Sequence, residues 1–148
     1  MVNGMSFHWL GMRITEENDR RRRQAEIAER MPRALEEVHQ ALATCAEDYQ
    51  QAFGAQSVEL QLSGAKISIL VRGEKDGQWE QIGRVEIATV NSLPGFQIDR
   101  GGEPLVIEVG VLPTGKLFYR DREQDQYLTM EDLTKRVLDR AFFPKLGE

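Results

Sequence analysis

The sequence predicts an α+β fold: an antiparallel meander of about six strands, packed on one face by a long N-terminal helix and a C-terminal helix. Three observations predict it. Apolar residues recur at helical spacing from Thr15 to Phe53, the period falls to two beyond Gly54, and helical spacing returns after Thr129.

In the first segment Ile27, Met31, Leu35, Val38, Leu42, Cys45 and Tyr49 follow one another at steps of three and four, so they share one face. Thr15 is the expected N-cap, Glu16 and Glu17 suit the positive end of the helix dipole, and Gly54 is the expected C-terminal stop. Pro32 falls in the interior, where it removes a backbone bond, so a kink is expected there. The stripe keeps its phase across Pro32, which favours a bend over a second helix.

Beyond Gly54, "SVELQL" sets Val58, Leu60 and Leu62 on one face, and "AKISILVR" does the same with Ile67, Ile69 and Val71. Asp76-Gly77 is the tight point of the next turn. "WEQIGRVEIA" alternates through Trp79, Val85 and Ile87, but Ile82 is out of phase and Gly83 marks a bulge. "SLPG" breaks the chain, "FQID" is a short strand, and "LVIEVGV" and "KLFYR" follow, joined around Pro113-Thr114-Gly115. Thr129 then caps a helix, with Asp132 completing a capping box and Pro144 stopping it. Short turns between successive strands favour antiparallel neighbours. Residues 1–14 read as an N-terminal tail and 15–148 as a single α+β domain.

The densest positive charge, Arg20 to Arg23, invites a nucleic-acid interface, and two observations oppose it. Each helical residue advances 100°, so four consecutive arginines cannot form one face. Between Arg13 and Gln40 the seven arginines meet seven acids, several at pairing distance: Glu16 with Arg20, Asp19 with Arg23, Glu26 with Arg30 and Glu29 with Arg33. No aromatic platform for bases is interleaved. With a net charge of −5 overall, neither nucleic acid nor anionic membrane is expected as a partner. Arg20 and Gln24 share the angular side of the apolar stripe, so the helix is expected to overhang the sheet before Ile27. The overhang follows Phe7, Trp9, Leu10, Met12 and Ile14, a tail open to three readings: docking on a second subunit, folding back, or disorder at its very end.

Chemistry is thin. Two histidines, His8 and His39, and one cysteine, Cys45, offer no metal-ligand spacing, and no cofactor is expected. "DREQDQYLTMED" has oxygen-bearing residues at several calcium-loop positions, but Gln126 stands where glycine is needed and Asp132 where a glutamate is usual. No phosphate cradle or nucleophile elbow occurs. A carboxylate pair such as Glu86 with Glu108 is conceivable across two strands, with nothing in the pattern to single it out. The lone cysteine and the absence of a leader-like segment fit a cytoplasmic setting.

The expectation is therefore a non-catalytic protein-interaction module, adaptor or chaperone-like, associating with itself or another protein. The contact residues singled out are Trp9, Leu70, Trp79, Val106 and Phe118. The alternatives are a small-molecule cup lined by residues such as Trp79, Phe96 and Tyr119, or an enzyme of unassigned class.

Overall fold

A computed structural model describes residues 7–90 and 94–144. The first six residues of the expected tail, the Ser92-Leu93 part of the expected chain break and the last four residues of the expected domain lie outside them. The chain forms α1 (His8–Phe53), β1 (Val58–Ser63), β2 (Lys66–Lys75), β3 (Gln78–Val90), β4 (Gly95–Asp99), β5 (Leu105–Val111), β6 (Leu117–Asp121), β7 (Gln126–Leu128) and α2 (Met130–Phe142). The strands pair in chain order in one sheet, and every pair is antiparallel. The fold is thus α+β with a seven-stranded meander.

The additional strand is β7. Only Leu128 of its three residues is buried, so no alternation announces it. Its hairpin turn contains Asp125 at φ 52, a left-handed position that aspartate tolerates. Asp76 and Gly77 both have positive φ, as a tight hairpin between β2 and β3 requires. The bulge lies where the phase slips: Val71 pairs with Gly83 and Arg72 with Gln81, leaving Ile82 unmatched. Gly83 answers a second need, because a Cβ there would come within 2.6 Å of the Ala141 carbonyl oxygen. A side chain at this point would push α2 off the sheet.

Helix α1 begins seven residues before the expected cap, at His8. The Thr15 hydroxyl does not cap it; it donates back to the Gly11 carbonyl at 3.1 Å. Glu16 and Glu17 accordingly lie inside the helix, not in its first turn, which contains no acid. Pro32 sits in the interior without ending the element. At the other end Gly54 donates its N–H to Gln50, and its own φ of 113 closes the helix. Helix α2 opens on the expected capping box: Thr129 accepts from the Asp132 N–H, and the Asp132 carboxylate accepts from the Thr129 N–H.

Both helices cover the same sheet face. Helix α2 follows β7 directly, and its last turn rests on Gly83 of β3. Four strand spacings of about 4.8 Å span roughly 19 Å, the length of a 13-residue helix, so α2 lies across the strands. Helix α1 runs beside it in the same sense. Arg30 donates to the Gly115 carbonyl before β6, Tyr119 of β6 donates to Glu37, and Gln50 donates to Val58 of β1. The core lies between these layers, with Val38 and Leu42 of α1, Ile67, Ile87, Phe96, Ile98 and Ile107 of the sheet, and Leu133 and Val137 of α2 all buried. Leu62, expected on the apolar face, is exposed, because it sits near the end of an edge strand beyond the helices.

Candidate interaction surfaces

Three surfaces emerge from this arrangement: the start of α1, a groove between the helices, and the uncovered face of the sheet.

The start of α1 leaves the body, as the arginines on its stripe side require. Every residue from Phe7 to Glu16 is exposed, and the first fully buried positions are Ala34 and Leu35. Phe7, Trp9, Leu10, Met12 and Ile14 therefore stand in water, Trp9 at 63 %. Phe7, Leu10 and Ile14 follow helical spacing along one flank, while Trp9 and Met12 fall on the opposite flank. The arginine run behind them is laced internally. Glu17 receives both Arg20 and Arg21, Asp19 receives Arg22, and Glu16 receives Arg13. Of the four ion pairs expected from spacing, Glu26–Arg30 forms, at 3.8 Å, and Glu16 and Asp19 take nearer arginines instead. Hydrogen bonds from Arg20 and then Arg21 hold the Glu17 carboxyl down to about 2.

The groove, about 470 Å³, lies between the second half of α1 and α2. Its floor is aromatic: Tyr49 stacks on Phe142 with centroids 4.3 Å apart, and Phe53 and Phe143 flank them. The Tyr49 hydroxyl is satisfied by the Phe142 carbonyl at 3.0 Å, which ties the two helix ends together. Phe53 and Phe143 remain more than half exposed. Asp48, Glu131 and Asp139 rim the groove, against one lysine, Lys135. Cys45 sits at its edge, half-buried. The sequence did not reveal this surface, because its two walls are separated by the whole sheet; the adjacent Phe142-Phe143 at a helix end is the one local sign of it.

The uncovered sheet face is a field of ion pairs, most of them between neighbouring strands. Arg72 bonds Glu59 at 2.8 Å, Lys66 and Arg84 bond Glu86, and Arg120 bonds Glu108 at 2.9 Å. Glu86 and Glu108 do not face each other: Glu86 pairs with Asp99 on β4, whereas Glu108 pairs with Gly95 and Arg120. Hydrogen bonds from Lys66 and then Arg84 hold the Glu86 carboxyl below its usual range, the opposite of what a general acid needs.

The five residues singled out from sequence fall in separate places. Trp9 is on the free start of α1. Leu70 lies on β2 between Glu59 and Arg84, and Val106 lies on β5 beside Gln97. Phe118 covers Gly110, the facing residue on β5, where a Cβ would fall 2.0 Å from its ring, and packs on Tyr127. The Glu108–Arg120 row separates Phe118 from Val106, so these positions form no common patch. Trp79 lies over Gly54 and covers the end of α1. The residues proposed for a small-molecule cup likewise divide: Phe96 and Tyr119 stack inside the core, and Trp79 stays at the α1 terminus.

Two buried polar groups belong to the frame. Asp121 of the "DREQDQYLTMED" segment is 1 % exposed; its carboxylate accepts from the N–H groups of Glu123 and Gln124 and from the Arg136 guanidinium. Tyr119 donates to Glu37 at 3.1 Å, and burial, followed by the Glu37 charge, raises its phenol well above the ordinary value of 10.0. The neutral phenol is thus favoured in the folded chain. Its contribution is complete below pH 10 and declines above it, where the unfolded chain ionises first. Tyr119→Phe is expected to cost about 1 kcal/mol at neutral pH and to flatten the alkaline loss of stability. Urea unfolding at pH 8 and above pH 10 checks this; parallel pH profiles for both proteins would refute it.

Among the described residues no three metal-ligand side chains converge, and no helix is long and apolar enough to cross a membrane. Compared with known protein families, curated proteins and solved structures, the chain matches none.

Proposed function

We propose that the protein is a non-catalytic interaction module, adaptor or chaperone-like, which works through the free start of α1 and associates with itself. The observation that carries this reading is the exposure of five large apolar side chains within eight residues, on a helix that continues into the core. So many large apolar side chains concentrated in so short a segment are rarely left in water unless they meet a partner. A helix presents it rigidly, so little ordering entropy opposes docking. The ion-paired sheet face offers no comparable surface. We further take the protein to be cytoplasmic, since its single cysteine suits a reducing compartment.

The test is retrieval from the native host. The tagged chain is expected to hold a protein companion, an untagged copy or another chain, and Leu10→Asp with Ile14→Asp is expected to release it. Equal retention by the variant, or a small molecule as sole companion, would sink the reading.

A further inference from the structure

We propose that the α1–α2 groove is the receptor for the start of α1 from a second copy of the chain, exchanged reciprocally so that each copy occupies the other's groove. This deepens the reading above and rests on it, by naming the occupant and its seat.

Reach excludes an intramolecular contact. Trp9 and Ala52 lie at opposite ends of one 46-residue helix, about 65 Å apart along its axis, so a chain cannot fill its own groove. A second copy laid antiparallel brings the two together. The spacing then matches by charge as well: Arg13 is one turn inside Trp9, and Asp48 is one turn inside Ala52.

Shape selects a groove over a flat seam. The start of α1 is apolar on two opposite flanks, Phe7, Leu10 and Ile14 on one, Trp9 and Met12 on the other. Two such helices paired with each other would cover one flank each and leave the other in water. A groove with an aromatic floor and two helical walls covers both.

Charge points the same way. From His8 to Arg23 there are five arginines against three acids, while the groove is rimmed by three acids and one lysine. Exchange brings opposite signs together, whereas pairing two starts of α1 brings like signs together. The area is also adequate. Phe7, Trp9, Phe53 and Phe143 are each more than half exposed. At roughly 150–250 Å² per aromatic, covering them in both copies removes on the order of 1,000 Å² before the aliphatic neighbours are added, the scale of a specific interface.

The test is light scattering on size-exclusion eluates of the full chain and two variants, each checked for native helicity by circular dichroism. Leu10→Asp with Ile14→Asp spoils the docking segment, and Phe143→Asp spoils the groove. The wild type is expected to elute as a dimer, each variant as a monomer, and an equimolar mixture of the two variants as a heterodimer, since one intact segment then meets one intact groove. If Phe143→Asp does not fold, Asp48→Lys with Asp139→Lys takes its place, with Arg13→Glu in the other chain expected to restore part of the lost affinity. A groove variant that stays dimeric, or a mixture that stays monomeric, overturns the exchange. A monomeric wild type overturns it together with the self-association proposed above, but leaves an interaction role standing on retrieval of another protein. A dimer indifferent to the Leu10 and Ile14 substitutions removes both.

Discussion

Replacing Asp121 with alanine is expected to lower the free energy of unfolding by about 3–5 kcal/mol. The carboxylate is almost fully out of water, and both of its oxygens are engaged. Removing it strands the N–H groups of the turn between β6 and β7 and takes from Arg136 its charged partner. Arg136 keeps a quarter of its side chain in water and retains Gln124 and Gln126, so the lower end of that range is expected. Asp121→Asn should cost less, since an amide oxygen still accepts from the turn. The measurement is the urea midpoint at constant slope. An unchanged midpoint for the alanine variant would show that the pair contributes nothing to holding α2 against β6 and β7.

The second large effect is expected at Phe96, 1 % exposed and stacked on Tyr119 with centroids 6.5 Å apart. Phe96→Ala removes a ring from the middle strand of the sheet, under both helices, and is expected to cost about 3–5 kcal/mol in lost transfer energy and residual cavity. Phe96→Leu, which keeps most of the volume, should recover a good part of it. A loss below about 1 kcal/mol for the alanine variant would mean that the helices settle into the gap, contrary to the close packing expected of a protein interior.

The elements most legible in the sequence were those with one unambiguous period. The stripe from Ile27 to Tyr49 and the alternation of Ile67-Ile69-Val71 set helix and sheet in order. Ile82 betrayed the bulge by falling out of phase, and Thr129 with Asp132 marked the start of α2. The start of α1 was misread, because "FHWLGMRI" places its apolar residues on two flanks and contains a glycine, so no single stripe marks it as helix. Thr15 resembled a cap because hydroxyl residues cap helices, yet inside one they bond the preceding turn. The exposed segment before the arginines was visible as a candidate surface; the groove was not. Its walls meet only after the whole sheet has folded between them, and no local pattern encodes a contact between residues 49 and 142.

The meander has a consequence for how the chain matures. Since each strand finds its mate in the one made just before it, a nascent chain can lay down the sheet hairpin after hairpin against α1 as it emerges. Helix α2, made after the strands it covers, closes the lid over β3 and β7. Until those thirteen residues arrive, the oily layer beneath them has no roof, and a chain lacking them would be born sticky.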